Sequence, residues 1–395
     1  MTPAPWSPSE PPDGFFDDPF PFYRQLREEA PIAQAPDGSV LLSRHADLSA
    51  VYRDAASFSS DKRVEFAPKY GEGPLYAHHT TSLVFNDDPY HGRVRKRLVG
   101  ALTPRSLAAL AEALGPYCDR LLDRFAGGDA VEGYAAAVPV RVIGDMLGVP
   151  EADRGPLRGW SLAILGALEP QPGPERLAAG NAAVAEFSAY LAELIAARRR
   201  SPGDPERDLL TRLIAGEGAE ALTPAELIHN AIFLLNAGHE TTSNLIGSAL
   251  YILATMPEVR RALIADPEAM PSFVEEVLRF ESPNQLGNRR AVRDTEIAGV
   301  AVAAGTQVTL VIGAANRDPA AFAGPETFDF RRSPNRHLAF GAGPHQCAGL
   351  SLARLEARIA IAAWLRRFPE FGLARPPQWQ RRVRFRGLTA LEVSL

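Results

Sequence analysis

The chain is poor in sulfur, with two cysteines and four methionines in 395 residues. Cys118 and Cys347 stand far apart, which excludes a disulfide framework and a zinc site built on CxxC pairs. A reducing, cytoplasmic setting is expected. Runs of roughly twenty consecutive apolar residues, the length of a membrane span, are missing. The most apolar uncharged stretch, Thr241–Pro257, is broken by Thr, Ser and Asn and reads as a buried helix. The N-terminus, MTPAPWSPSEPPDGFFDDPF, has neither the basic start nor the apolar run of a signal peptide. A net charge of -5 offers no basic field for nucleic acid. Internal repeats and long linkers are absent too.

What is there reads as one globular body. The chain is 46% hydrophobic and 23% charged, ordinary for a soluble protein. Residues 1–19 are Pro-rich and predict an extended arm; residues 20–395 follow as a single catalytic domain, expected to be monomeric. Residues 197–208 (ARRRSPGDPERD) read as a charged surface connection. Apolar spacing of three and four predicts helices over 105–126, 180–200, 224–255, 258–265, 272–280 and 350–367. The 224–255 segment has a strong start: Thr223 as cap, Pro224 at the first position, Glu226 completing a capping box. At 1.5 Å per residue it spans about 48 Å and must cross the whole molecule. Val40–Leu42, Glu296–Val302 with a turn-like Gly299, Gln307–Ile312 and the last fifteen residues read as extended. The class is mainly α with a smaller β portion.

Three clusters carry chemistry. In FGAGPHQCAGLSLARLEARIA (residues 340–360), Gly341 and Gly343 let the backbone turn tightly against a flat ligand. Cys347 sits just before a helix starting near Leu350, whose positive end favours a thiolate. A thiolate suits heme iron, where it pushes electron density toward O–O cleavage. Cys118, in a helical segment without glycines, reads instead as a small buried hydrophobe. In FLLNAGHETTSN (residues 233–244), Ala237 and Gly238 remove bulk from a helix interior. Glu240 and Thr241 follow, an acid and an alcohol able to relay protons; a helix interface with a satisfied polar pair is the alternative. In PSFVEEVLRFESP, Glu276 and Arg279 share a helix face, with Glu275 competing as the acid.

These clusters, in this order, resemble the cytochrome P450 family: the heme loop, the acid–alcohol pair of the long distal helix and the E-x-x-R signature. The resemblance covers nearly the whole chain, from FDDPFPFYRQLREEAPI through NRDP (316–319) to the final strands. It implies the family's fold, with a long central helix over a buried heme b. It implies Cys347 as the iron ligand in a loop formed with Phe340, Gly341 and Gly349, and Ala237 and Gly238 passing over the heme. Glu240 and Thr241 are implied as the residues that deliver protons, and Glu276 with Arg279 as a structural brace. The two propionates need cations or strong donors. His91, Arg95, Arg289 and His345 fall where the family places them, Arg289 being preferred over its neighbour Arg290. Absence of an anchor makes the chain similar to the soluble bacterial type, which takes electrons from a ferredoxin or flavodoxin and its reductase. Arg93, Arg95, Lys96 and Arg97 form a basic stripe that could meet an acidic carrier.

The resemblance implies insertion of one atom of O2 into a small organic substrate. A non-catalytic heme-thiolate sensor and a peroxide-driven peroxygenase are the alternatives, and the intact Glu240–Thr241 pair argues against both. Pocket residues are expected to be Leu83, Val84, Phe233, Asn236, Gln285, Leu286 and Gly287. Asn236 stands where an apolar residue is more usual, which predicts a largely apolar pocket with an amide for a polar substrate group.

Overall fold

The computed structural model describes residues 1–100, 102–205, 208–216 and 221–395; positions 206 and 207 of the charged connection lie outside them. Helices dominate, and all six expected ones are present, as Pro104–Arg124, Pro174–Arg200, Pro224–Thr255, Pro257–Ala265, Met270–Phe280 and Leu350–Arg367. The central helix begins on a complete capping box: Thr223 Oγ1 accepts from the Glu226 N–H at 3.2 Å, and Glu226 accepts from the Thr223 N–H at 2.8 Å. It stops at Met256, where the next helix starts on Pro257, a residue that cannot continue the ladder. Nineteen of its residues are buried, so it forms an axis of the core rather than a surface rod.

The cysteine helix, Leu350–Arg367, packs against Pro104–Arg124 and against the central helix. Trp364, fully buried, is central there, with Phe125, Tyr134, Phe368 and Phe371 around its ring. Cys118 is 0% exposed on the facing helix, and burial pushes its thiol up to about 11. It is the inert hydrophobe its surroundings suggest.

A six-stranded sheet covers one side, in the order Thr2–Pro3, Ile32–Gln34, Val40–Leu42, Gln307–Val311, Leu286–Ala291 and Phe58–Ser59. Residues 1–19 are not a free arm: Thr2–Pro3 pairs parallel with Ala33–Gln34, and Trp6 and Phe15 are buried with Tyr23. The span Glu296–Val302 is a hairpin about the turn-like Gly299, Thr295–Ile297 against Val300–Val302. Its two turn residues, Ala298 and Gly299, have φ of 47° and 80°, the geometry of a tight two-residue turn. Shorter helices that the periodicity did not single out are present too, among them Phe20–Glu29, Arg63–Tyr70, Pro74–Thr81, Tyr90–Val99 and Leu157–Gly166.

Candidate active site

Cys347 lies between a 3₁₀ turn, Gly343–His345, and the helix capped by Gly349. The loop closes on itself: the Cys347 N–H donates to the Phe340 carbonyl at 2.9 Å. Gly341 and Gly343 hold φ of 63° and 69°, and a Cβ on Gly343 would sit 2.3 Å from the Tyr52 carbonyl oxygen. Only glycine meets both demands. The Cys347 sulfur is unbonded. Burial pushes its thiol up, while the Gly349 N–H, Arg95 and Arg354 pull toward the thiolate.

The loop stands on two acid anchors. Arg279 grips Glu276 with two bonds, Nε to Oε2 at 2.8 Å and Nη2 to Oε1 at 2.7 Å, both side chains 0% exposed. Glu276 also accepts from the Asp329 N–H at 2.9 Å, Arg332 and Asn335, and Arg279 donates to the carbonyls of Asn316, Pro325 and Thr327. The pair thus fixes the segment that leads into the cysteine loop. Glu275 is a separate anchor: it accepts from Arg354 at 2.6 and 2.7 Å and lies 3.1 Å from His337. The Arg354 guanidinium lies over the Phe340 ring at 4.8 Å. Sequence reasoning missed Arg354 and His337; the doubled acid at 275–276 was the available signal.

Beside the loop a group of cations and imidazole rings gathers. The His91 and His345 rings are 3.9 Å apart, and His91 is buried, which pushes its imidazole down to about 4 with His345 and Arg95 acting the same way. His345 Nε2 lies 3.6 Å from Asp87. Burial alone would raise the Asp87 carboxyl, but hydrogen bonds from His345, Ser59 and the Ser60 N–H hold it well below the usual carboxylate range. Arg289 lies 5.2 Å over the Tyr52 ring and donates to the Asn288 carbonyl. Burial pushes its guanidinium down, with Tyr52 and Asp87 as partial compensation. Among the described residues no carboxylate is within ion-pair distance of it. Arg93 does not join: it pairs with Glu226 and donates to the Ala221 carbonyl at 3.1 Å, so it serves the start of the central helix instead of a basic stripe.

On the central helix, Ala237 is exposed midway along an otherwise buried span, so this face borders open space. Thr241 Oγ1 donates to the Ala237 carbonyl at 2.6 Å, as a hydroxyl does when it draws a carbonyl off the helical ladder. A Cβ on Gly238 would meet Ile143 at 2.5 Å. Glu240 is 1% exposed; burial raises its carboxyl, and Arg382, ion-paired to one of its oxygens, opposes that. The other oxygen, Oε2, has no partner. Arg382 also bonds Glu169 at 3.2 Å. Both were missed, because RRVRFR near the C-terminus reads as a solvated basic run.

Of the expected pocket residues, Leu83 is buried, its N–H held by Asn230 Oδ1 at 2.9 Å, with Val84 half-buried beside it. Phe233 is half-buried, and Asn236, 3% exposed, keeps Oδ1 unpartnered. Gly287 faces Tyr52, whose hydroxyl would lie 2.4 Å from an added Cβ. Gln285 and Leu286 do not join this group. Strand alternation turns Leu286 to the face opposite Gly287 and Arg289, where it packs with Trp6, Phe15 and Tyr23. Gln285 bonds back to the Ser282 carbonyl at 2.6 Å.

Residues 174–371 match the family model described as Cytochrome P450. Along the whole chain, a "Biotin biosynthesis cytochrome P450" from Bacillus subtilis (strain 168) is 36% identical over 387 residues, covering 96% of this chain and 95% of that protein. The chain belongs to the cytochrome P450 family. Another P450 relative, 6-deoxyerythronolide B hydroxylase from Saccharopolyspora erythraea, is 35% identical and covers 97% of both chains. The solved structure of P450BioI in complex with hexadec-9Z-enoic acid ligated acyl carrier protein superposes with a TM-score of 0.92 at 35% identity, covering 97% of this chain and 100% of that one. The protein is therefore a P450 monooxygenase, an oxidoreductase that uses O2, a substrate and redox partners. Among the described residues no helix is long and apolar enough to cross a membrane.

The P450 family implies a heme-iron cofactor, and the residues present fit it. Cys347 offers an unbonded sulfur in a loop held tight by glycine, Arg289 is a half-buried cation without a carboxylate at ion-pair distance among the described residues, and the Ala237 face of the central helix is open.

Proposed function

We propose that this P450 inserts one atom of O2 into a small organic substrate at a heme b held by Cys347, the second atom leaving as water with two electrons and two protons. The electrons come from a separate ferredoxin or flavodoxin and its reductase. The bound heme iron supplies the activation of O2. The observation that carries the reading is the convergence of His91, Arg95, Arg289 and His345 around the loop of an unbonded cysteine. Those four residues would hold the two propionates, which need buried cations or strong donors.

The chain's own residues divide the work. Gly349 N–H and Arg95 favour the Cys347 thiolate. Ala237 keeps the open helix face low, and Gly238 beside it makes room for Ile143 of the neighbouring helix. Thr241 commits its hydroxyl hydrogen to Ala237 and leaves its lone pairs free to accept a proton. Glu240, with one oxygen on Arg382 and one free, is placed to supply that proton. Leu83, Val84, Phe233, Asn236 and Gly287 would line the substrate side, with Asn236 Oδ1 free for a donor on the substrate. Residues 20–395 act as one catalytic domain, monomeric and cytoplasmic, with neither nucleic acid nor membrane as partner.

Carbon monoxide added to the reduced holoprotein tests the reading. A strongly red-shifted main absorption band is expected, and its loss in Cys347→His; purified protein that takes up no heme would overturn the proposal.

A further inference from the structure

Two cations near the end of helix Arg63–Tyr70 and in the C-terminal segment are held by neutral groups alone. Lys69 Nζ donates to the Glu169 carbonyl at 2.7 Å. Arg384 donates to the neighbouring Leu168 carbonyl at 3.3 Å, to the Leu286 carbonyl at 3.4 Å and to Asn288 Oδ1 at 2.7 Å. The two side chains therefore meet on consecutive carbonyls of one loop. Among the described residues neither has a carboxylate at ion-pair distance. The carboxylate next to these carbonyls, Glu169, is already saturated: Arg382 takes Oε1, and the Val383 and Arg384 N–H groups take Oε2 at 2.9 and 3.3 Å.

A second observation points to the same place. His79 is 2% exposed, and its Nε2 has no partner. Its ring lies tilted 5.3 Å from that of Tyr70, the residue after Lys69. Lys69 and Arg384 both act on it electrostatically, after burial, in pushing it down to about 3. Two cations and a neutral ring nitrogen thus share one partly buried region whose carboxylates, Glu65 and Glu169, reach Lys69 only at a distance and are each ion-paired elsewhere, with Lys62 and Arg382. Charge of one sign gathered away from water is costly unless a counter-charge arrives.

The seat adjoins the Arg289 group without sharing its contacts: the Arg384 and Arg289 guanidiniums both act electrostatically on Tyr52 and Lys62. Asn288, which holds Arg384, and Arg289 are adjacent on an extended strand and face opposite ways. It is nonetheless close to the proposed chemistry. Arg382, two residues before Arg384, pairs with Glu240 and donates to the Leu165 carbonyl at 2.9 Å, one turn before the carbonyl that Arg384 takes.

We propose, resting on the monooxygenase reading above, that Lys69 and Arg384 receive a carboxylate on the substrate, so that the enzyme oxidises amphipathic carboxylic acids held by their anionic end. The His79 Nε2–H tautomer supplies a third donor. The apolar remainder of the acid extends toward the face that carries Thr241.

The experiment is a titration of the heme-loaded protein with dodecanoate, methyl dodecanoate and 1-dodecanol, read by the spin-state shift and independently by calorimetry. Dodecanoate is expected to bind about tenfold or more tightly than its ester, the worth of a charge-assisted contact. The preference should shrink toward one in Lys69→Gln and in Arg384→Gln. Arg384 also ties three segments together, so Lys69→Gln is the decisive variant where Arg384→Gln folds poorly. Equal affinities for acid and ester, no binding of any of the three, or a preference that survives Lys69→Gln would overturn the proposal. The carbon monoxide spectrum of the same preparation shows separately whether the thiolate-heme reading holds.

Discussion

Arg382, from the C-terminal segment, is ion-paired with Glu240 on the central helix, one residue before the Thr241 hydroxyl that bonds Ala237. The pair is interior, with Glu240 1% and Arg382 10% exposed at the side chain. A carboxylate so placed is poised between two pulls, because burial raises it and Arg382 lowers it. Removing Arg382 takes away the main opposition to burial, so Glu240 stays protonated to higher pH and is a weaker proton donor. In Arg382→Gln, product formation is expected to fall about tenfold or more near neutral pH, within the range general acid–base groups contribute. The pH–rate profile should move to the alkaline side while the heme spectrum is unchanged. Arg382 acts here through Glu240 as a positioning residue. A lower rate with an unmoved pH profile would show that it serves only packing.

Glu275 and Glu276 are neighbours with different fates. Glu276 is fully buried and takes donors from Arg279, Arg332, Asn335 and the Asp329 backbone, so Glu276→Gln leaves Arg279 as an uncompensated interior charge. Breaking a buried pair from one side costs about 3–5 kcal/mol. Glu275 and Arg354 are 25% and 32% exposed, and solvent screening limits that pair to about 1 kcal/mol. Urea unfolding of the two Gln variants measures the difference directly. Equal midpoints would mean that the assignment of the brace to Glu276 is wrong.

Two buried histidines and a half-buried third contribute to the acid limit of the fold. His78, His79 and His229 form a chain of rings 4.9 and 5.8 Å apart about His78, and burial lowers each of them, His79 to about 3. Unfolding restores their ordinary value of about 6.5. Below that value the unfolded chain binds protons that the folded chain refuses. Stability is therefore complete above about pH 6.5 and is lost as pH falls toward the folded values, by up to about 1.4 kcal/mol per unit for each ring. Replacing His78 by Phe keeps an aromatic ring and removes one titration. The variant should lose less stability than wild type between pH 7 and pH 5, as read from urea midpoints; identical slopes would rule out His78 as a contributor.

The elements most legible from the sequence are those whose signals are local. The capping box at Thr223 and Glu226, the glycines about Cys347 and the three-and-four periodicity of Leu350–Arg367 all act within a few residues, and the fold follows them. The pairing of Glu276 with Arg279 is local too, but its burial depends on residues 316–335, 37 to 59 positions on. Arg382 and Glu169 were not legible, because a basic run and a lone acid acquire meaning only when the C-terminal segment meets the loop after Leu157–Gly166. Gln285 and Leu286 misled for a related reason: being close in sequence to Arg289 does not decide which face of a strand a side chain takes.

Gly343 and Gly349 flank Cys347 by four and two residues, and the structure asks different things of them. At Gly343 φ is 69°, and an added Cβ would stand 2.3 Å from the Tyr52 carbonyl oxygen and 3.1 Å from the Arg53 Cα. Both neighbours are backbone, so no side chain can swing aside. Gly349 has φ of −92° and nothing within 4 Å of the same built atom. Gly343→Ala must therefore strain its own backbone, at about 1–3 kcal/mol, and also push the loop off residues 52–53. Movement of that loop shifts the Cys347 sulfur, so the variant is expected to bind heme weakly and to lose the red-shifted carbon monoxide band. Gly349→Ala should stay within about 0.5 kcal/mol of wild type, with its heme spectrum intact. Heme content per chain and thermal midpoints of the two variants, measured side by side, decide the matter. A Gly343→Ala protein as stable and as heme-replete as Gly349→Ala would mean that the contact with Tyr52 does not hold the cysteine loop in place.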